Sequence, residues 1–191
     1  MTRTTMTSLA AITIFALGVS FPAIAADEPP TEPTPTTSAE AISYEGFLGL
    51  SNEVYEYRAQ RLVSLEDFNR MKNEEDTILF DTRSAAAFEM GHIYGAINLP
   101  FSDFTEGKLG EVLPSRDVRI LIYCNNNFTD DVMPIILKSA PLALNVPTFI
   151  NLYGYGYKNI YELGDTVEMA DPNVEWVSDY PPELEIGALE D

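Results

Sequence analysis

The sequence has very few of the side chains that most often carry chemistry: one cysteine, Cys124, and one histidine, His92, in 191 residues. A single cysteine cannot form an intramolecular disulfide or a thioredoxin-type dithiol pair. Together with one histidine it leaves too few ligands for a zinc site of the usual nitrogen and sulfur type. The acids are scattered and contain no Asp-x-Asp-x-Asp-Gly calcium loop. We therefore expect no metal and no cofactor.

Basic residues are also scarce. The chain has 11 Lys and Arg against 30 Asp and Glu, a formal net charge of -19. Nucleic acids and anionic lipid headgroups are bound by clustered Lys and Arg, so neither is an expected partner. An acidic surface favours solubility instead.

Long apolar runs are absent except near the start of the chain. The stretch from Leu9 to Phe21 is too short to span a bilayer, and Ala23-Ile24-Ala25 has the small residues of a signal peptidase site. We expect a signal peptide over residues 1–25, cut after Ala25. The mature protein is then periplasmic or secreted, without membrane insertion.

A Pro/Thr-rich and acidic segment, residues 26–39, follows this site and has almost no apolar residue. Such a composition cannot bury enough surface to order itself, so the segment is predicted to be a disordered linker. Residues 40–191 are then one domain with a single core. Its first part, residues 40–58, is apolar without a clean period.

Short apolar runs alternate with helical patterns across this domain, which is typical of an α/β fold with a mostly parallel sheet and helices on both faces. Ser64 and Ser84 are predicted helix N-caps, the second before Ala85–Met90. The five predicted strands are Leu62–Val63, Thr77–Phe80, Ala96–Leu99, Ile120–Tyr123 and Asn159–Leu163.

Cys124 stands at the end of the fourth predicted strand and before the polar run Asn125-Asn126-Asn127. Functional sites in parallel sheets form at the carboxyl ends of strands. In an oxidising compartment a lone cysteine is either buried and inert or kept for its reactivity. Cys124 is therefore the first candidate for a chemical centre.

Several motifs resemble the rhodanese family. Asp81-Thr82-Arg83 and the segment from Gly91 to Pro100 are similar to its Asp-x-Arg and Gly-His-Ile-x-Gly-Ala-x-Asn signature, and Cys124 lies where the family has its sulfur-carrying cysteine. The resemblance covers residues 62–164. It implies a single rhodanese-like domain with a central five-stranded sheet, in which His92, Asp81 and Arg83 are structural.

The resemblance also implies a reaction. The Cys124 thiolate takes a sulfane sulfur from a small-molecule donor, forms a persulfide and passes the sulfur to an acceptor such as a thiol. Backbone N–H groups of the following loop, Asn125, Asn126, Asn127, Phe128 and Thr129, are the expected cradle for the sulfur. The loop departs from the family pattern Cys-x-x-Gly-x-Arg in having no arginine, so we expect a donor that is not strongly anionic.

An insertion at about residues 132–147 lengthens the connection after this loop. We expect a short helix near Asp131 with Asp130 and Asp131 as caps, a loop over 139–146, and a second helix over 147–155 that ends at Gly156. The apolar insertion is predicted to fold over the Cys124 pocket as a lid.

Two functional hypotheses follow. The first is an exported sulfurtransferase or persulfide carrier that uses Cys124 as its nucleophile. The second is a catalytically silent rhodanese-like module that binds a protein or small molecule in the same pocket. A phosphatase with a Cys-x5-Arg loop is excluded, because Asp130 stands where the arginine would be.

Overall fold

A computed structural model describes residues 41–178 of the chain. The predicted signal peptide and linker lie outside these residues. The helices are α1 (Tyr44–Ala59), α2 (Leu65–Lys72), α3 (Ala85–Met90), α4 (Glu106–Val112) and α5 (Asn145–Gly154). The strands are β1 (Leu62–Val63), β2 (Thr77–Asp81), β3 (His92–Ile93), β4 (Ile97–Asn98), β5 (Arg119–Tyr123), β6 (Ile160–Leu163) and β7 (Trp176–Val177).

The main sheet has five strands in the order β1-β6-β5-β2-β4, and every neighbouring pair is parallel. The predicted α/β class and five-stranded sheet are confirmed. β4 is shorter than predicted and consists of Ile97 and Asn98. In the centre, Leu79 pairs with Leu121, and Ile122 pairs with Glu162. The carboxyl ends of β2, β5 and β6 therefore meet at one edge of the sheet.

Side chains alternate between the two faces of the sheet, as the pleat requires. On one face, Phe80, Ile120 and Ile122 pack with a cluster that includes buried residues of α1, α4 and α5. On the other, Leu79 and Leu121 pack with a cluster that includes buried residues of α2. The prediction of helices on both faces is confirmed.

Local sequence signals place two helix starts. The Ser64 hydroxyl accepts a hydrogen bond from the Asp67 N–H, and the Ser84 hydroxyl accepts one from the Ala87 N–H, both at 3.2 Å. Each serine thereby satisfies one of the N–H groups that a helix start leaves without an intrahelical partner. Both predicted N-caps are confirmed.

Helices α1 and α4 and a second, small sheet are not predicted by the sequence pattern. Helix α1 covers most of the segment that lacked a clean period, and Val54 is its one buried residue. A small antiparallel sheet pairs β3 with β7, from the segment beyond the family resemblance. The Trp176 indole of β7 lies against Gly91, where an added Cβ would be 2.6 Å from its Nε1.

The predicted helix near Asp131 is wrong. The Asp130 carboxylate accepts a hydrogen bond from the Met169 N–H, 2.8 Å away, and Asp131 accepts one from the Leu137 N–H at 3.0 Å. Neither aspartate caps a helix, because both bind N–H groups of other segments. The insertion instead forms a turn from Val132 to Ile135 and a 3-10 turn over Ala140–Leu142. The second predicted helix is α5, which begins two residues earlier than expected, at Asn145.

Within residues 41–178, none of the helices is both long enough and apolar enough to cross a membrane.

Candidate active site

Cys124 follows β5 at the carboxyl edge of the sheet and has 2% of its surface exposed. It lies between two cavities of about 370 Å³ and 190 Å³. Only Cys124 and Asn126 line both of them. The thiol is thus buried in the chain but borders open space on two sides.

The larger volume, named here the first cavity, is formed by the loops after β2, β4 and β5 together with the insertion. Its floor contains Cys124, and Ile136, Lys138 and Leu144 come from the insertion. The remaining lining residues are Thr82, Arg83, Ser84, Ala87, Pro100, Phe101, Ser102, Asn125 and Asn126. The predicted position of the insertion next to the Cys124 pocket therefore agrees with the structure.

The smaller volume, the second cavity, lies toward β6 and α1. It contains the charged pair Arg58 and Glu162 and the amide of Asn145. The other lining residues are Leu62, Cys124, Asn126, Asn127, Ala140, Ala143, Val146, Leu163, Gly164 and Thr166.

The backbone N–H groups of Asn126, Leu144 and Asn145 lie close enough to the sulfur to lower the pKa of the Cys124 thiol. Two of them belong to the start of helix α5, which the insertion separates from Cys124 in the sequence. Unpaired N–H groups and the helix dipole both favour negative charge at such a position. The N-terminus of α5 therefore lies beside the thiol, although the insertion separates the two in the sequence.

This arrangement shares the Asn126 N–H with the predicted cradle of Asn125 to Thr129 and adds two groups from α5. The N–H of Asn127 donates to the Cys124 carbonyl and that of Phe128 to the Asn125 carbonyl, each at 3.0 Å. The N–H of Thr129 donates to the Val167 carbonyl at 2.9 Å. These three groups donate within the 3-10 turn and to the later chain.

Burial raises the pKa of the Cys124 thiol, and the nearby Glu162 carboxylate raises it further. The N–H groups of Asn145, Asn126 and Leu144 act in the opposite direction, because they stabilise the thiolate. Desolvation is the larger effect. The resting thiol is therefore a weaker acid than an exposed cysteine.

The side chains of Asn125 and Asn126 attach the insertion to the cysteine loop. The Asn126 amide donates to the Lys138 carbonyl at 2.6 Å and accepts from the Lys138 N–H at 3.2 Å. The Asn125 amide donates to the Ile136 carbonyl at 3.0 Å. These bonds fix the wall of the first cavity.

Asn127 joins the cysteine to the neighbouring strand. Its Oδ1 accepts hydrogen bonds from the Cys124 N–H at 2.9 Å and from the Asn145 amide at 3.1 Å. Its Nδ2 donates to the Leu163 carbonyl at 2.7 Å. The Asn145 amide donates in addition to Glu162 at 3.1 Å. Asn125 and Asn126 thus hold the insertion, whereas Asn127 joins the cysteine loop to β6 and α5.

Asp81 and Arg83 tie the end of β2 to the loops around it. The Arg83 guanidinium donates to the Asp81 carboxylate and to the Gly91 carbonyl, and the Tyr123 hydroxyl donates to Asp81 at 2.6 Å. The ring of His92 stacks on Phe88 with centroids 3.8 Å apart and lines neither cavity. This geometry agrees with structural roles, although Arg83 also borders the first cavity.

Sequence reasoning missed Arg58, Leu144 and Asn145. Arg58 lies in the segment without a clean period, and the other two lie in or beyond the insertion. One signal was present: Glu162 is a carboxylate inside the apolar strand β6, and a buried charge requires a partner. In the part of the chain that the structure describes, no cluster of three or more His, Cys, Asp or Glu side chains could hold a metal ion.

Comparison with known proteins gives one family match: the model of the rhodanese-like domain matches residues 64–164. This segment runs from the N-cap of α2 to the end of β6 and includes Cys124. Helix α1, with Arg58, lies outside it.

Curated relatives are similar over shorter segments. A protein named adenylyltransferase and sulfurtransferase uba4, from Sclerotinia sclerotiorum, is 27% identical over 37% of this chain and 16% of its own length. The Escherichia coli protein YibN is 27% identical over 43% of this chain and 53% of its own length. The chain thus spans about half or less of these relatives. A crystal structure of the Bacillus halodurans protein BH2092 covers 60% of this chain at 20% identity, with a TM-score of 0.40 over 76% of that protein.

Proposed function

Because the chain belongs to the family of rhodanese-like domains, we propose that it is an exported sulfurtransferase or persulfide carrier in which Cys124 accepts a sulfane sulfur. The observation that carries the proposal is the position of Cys124 directly after β5, where it lines a cavity of about 370 Å³ beside backbone N–H groups that favour its thiolate. The name of the Sclerotinia relative, which includes sulfurtransferase, agrees with this chemistry.

The transfer has two displacement steps. The Cys124 thiolate attacks the outer sulfur of an organic persulfide, R–S–SH, and the bond between the two donor sulfurs breaks. The donor leaves as the thiol R–SH, and Cys124 becomes a persulfide. An acceptor thiolate then attacks the outer sulfur, takes it, and releases the Cys124 thiolate. The second step reverses the first with a different thiol, so neither step needs an external oxidant or reductant.

The N–H groups of Asn126, Leu144 and Asn145 stabilise the negative charge in both steps. The Cys124 sulfur is negatively charged as the thiolate before it attacks, and it becomes negatively charged again when it leaves in the second step. Preorganised donors in a buried site stabilise such charge strongly. Their contribution should be larger for the anion than for the neutral thiol, because the neutral thiol is a weak hydrogen-bond acceptor.

The first cavity suits an organic donor better than thiosulfate. A volume of about 370 Å³ lies near the lower end of the range for small-molecule sites. Much of the wall is apolar, with Phe101, Ile136 and Leu144 among its residues. The charge of Arg83 is neutralised by its contact with Asp81. Within residues 41–178, Lys138 is the lining cation without an ion-pair partner, which suits one carboxylate on a donor.

The raised pKa of Cys124 has a kinetic consequence. Only the thiolate is a competent nucleophile, so sulfur uptake at neutral pH is expected to be slow and to accelerate as the pH rises. The same burial favours the second candidate, a silent module that binds a ligand in the first cavity. The two candidates differ in whether the Cys124 sulfur gains an atom.

Intact-protein mass spectrometry of residues 26–191 tests the proposal. The protein is incubated with glutathione persulfide, inorganic polysulfide or thiosulfate, beside Cys124→Ser as the matched control. We expect the mass of one sulfur atom to be added to wild type by the persulfide, faster at higher pH, and nothing to be added to Cys124→Ser. A wild type that gains no sulfur from any donor, while its thiol still reacts after denaturation, would leave only the binding module.

Export is tested separately. Expression of residues 1–191 with a C-terminal tag, followed by cell fractionation and N-terminal sequencing, should give an exported protein that begins at Ala26. A protein retained in the cytoplasm with its N-terminus intact would refute the localisation without affecting the chemistry.

A further inference from the structure

Arg58 brings a positive charge to the second cavity from outside the matched segment. It lies in the last turn of α1, and its guanidinium forms a two-pronged ion pair with Glu162 of β6, with Nε–Oε2 at 2.5 Å and Nη2–Oε1 at 2.6 Å. The Glu162 side chain is 6% exposed and that of Arg58 is 33% exposed. The pair is therefore enclosed on the carboxylate side and open on the guanidinium side.

A chain of hydrogen bonds connects this ion pair to the cysteine. The Asn145 side-chain amide donates to Glu162 Oε1 and also to Asn127 Oδ1. Asn127 Oδ1 accepts a second hydrogen bond, from the Cys124 N–H. Asn145 is 3% exposed and is the first residue of α5, whose N–H faces the sulfur. The ion pair thus holds the helix start that contributes to the anion site.

The charges around Cys124 come from several elements. Glu162 on β6 and Arg58 on α1 lie at the second cavity, whereas Arg83 after β2 and Lys138 of the insertion lie at the first. Arg83 is neutralised by Asp81, and Lys138 is exposed to solvent. The Cys124 thiolate and the Arg58 guanidinium stabilise each other electrostatically, and Glu162 acts on the thiolate with the opposite sign.

We propose that Arg58 is a positioning residue for the chemistry of Cys124: it neutralises Glu162 beside the sulfur and, through Glu162 and Asn145, holds the start of α5 against it. This inference rests on the proposed function, but its test measures the reactivity of the Cys124 thiol itself. It assigns the segment before the matched domain a part in the site.

The proposal predicts opposite effects for the two members of the pair. In Arg58→Met the Glu162 charge is no longer balanced and the hold on Asn145 is weakened, so the thiolate is disfavoured. In Glu162→Gln the negative charge is removed, the Asn145 amide keeps an oxygen acceptor, and Arg58 remains beside the sulfur, so the thiolate is favoured. If the ion pair contributed to stability alone, both substitutions would change the alkylation rate in the same direction.

The experiment is the rate of Cys124 alkylation by iodoacetamide as a function of pH, measured on residues 26–191. If each variant shifts the pKa by about one unit, alkylation below the pKa becomes about tenfold slower in Arg58→Met and about tenfold faster in Glu162→Gln. The double variant should return to within about threefold of wild type. Arg70→Met is the matched control, because Arg70 has ion pairs with Asp67 and Glu74 and lines neither cavity.

Thermal unfolding is recorded in parallel. If Arg58→Met does not fold, Arg58→Lys, which keeps the charge but not the two-pronged contact, and Glu162→Gln decide the matter. The proposal is overturned if Arg58→Met melts earlier but keeps the wild-type pH profile, or if Glu162→Gln slows alkylation. Because alkylation needs no sulfur donor, a protein that accepts no sulfur would defeat the proposed function without deciding the role of Arg58.

Discussion

Replacement of Asn126 by alanine tests whether the insertion is a fixed wall of the first cavity. In the native protein, Asn126 makes two hydrogen bonds to the backbone of Lys138, at 2.6 and 3.2 Å. Both bonds are exposed to solvent. An intramolecular hydrogen bond contributes about 0.5–1.5 kcal/mol net, and at the lower end of this range the loss of both weakens the closed state by about 1 kcal/mol. The equilibrium for opening the insertion then rises about fivefold.

Cys124 lines the first cavity but is only 2% exposed, so we expect an alkylating reagent to reach it faster when the insertion opens. If opening and closing are fast compared with alkylation, the observed rate follows the open population. We therefore expect Asn126→Ala to react about fivefold faster than wild type with iodoacetamide. A bulkier maleimide should show a larger acceleration, because it depends more strongly on opening.

The matched control is Asn159→Ala. Asn159 precedes β6 at the other end of the sheet, and its amide also donates to a backbone carbonyl, that of Asp117, at 3.0 Å. It lines neither cavity. Its alkylation rate should stay within about twofold of wild type. The reasoning is refuted if Asn126→Ala reacts at the wild-type rate, or if its pH midpoint moves while its rate at high pH is unchanged.

Three further predictions concern stability. Gly91→Ala should unfold at lower urea concentration and alter the fluorescence of the single tryptophan, because the new Cβ would lie 2.6 Å from Trp176 Nε1; Gly49→Ala, with nothing within 4 Å of its Cβ, should stabilise helix α1 instead. Tyr123→Phe should lower the free energy of unfolding by about 1–3 kcal/mol with an unchanged m value, because its buried hydroxyl binds both a carboxylate and an N–H; a loss below about 0.5 kcal/mol would contradict this. Burial raises the folded-state pKa of Cys124 above the unfolded value of about 8.5. The contribution of the neutral Cys124 thiol to stability is therefore fully present below about pH 8.5 and is lost as the pH rises through the folded-state pKa. Wild type should therefore lose more stability between about pH 8 and 10 than Cys124→Ala, and parallel curves would refute the shift.

Much of the sheet could be predicted because its strands carry their own signal. Apolar runs such as Thr77–Phe80 and Ile120–Tyr123 stop at polar turns, and Ser64 and Ser84 mark helix starts by local hydrogen bonds. These features depend on neighbours in the sequence. The local sequence alone therefore contains most of the information that positions these strands and helix starts.

Helix α1 could not be found in the same way. Tyr44, Leu48 and Tyr55 are large apolar residues that remain exposed, so they obscure the single buried position, Val54. A helix that buries so little has no clear apolar stripe. Its position is set by packing against α5 and the sheet, which are distant in the sequence.

The site was predicted only in part for a related reason. The position of Cys124 at a strand end follows from local pattern, but the donors that face its sulfur depend on the path of the insertion. Asp is a residue type that often caps helices, yet the carboxylates of Asp130 and Asp131 bind the N–H groups of Met169 and Leu137. Contacts of this kind are chosen by the assembled fold.

Because the insertion separates Cys124 from α5 in the sequence, different segments form the reactive centre and the wall of the first cavity. The Asn145 side chain is held by Glu162 of β6, which pairs with Arg58 of α1, whereas Ile136 and Lys138 line the first cavity, where a small molecule would bind. Substitutions at the two latter positions should therefore change which molecules are admitted without disturbing how the sulfur is handled. In such a protein, selectivity could be redesigned by exchanging a short surface segment while the reactive centre stays as it is.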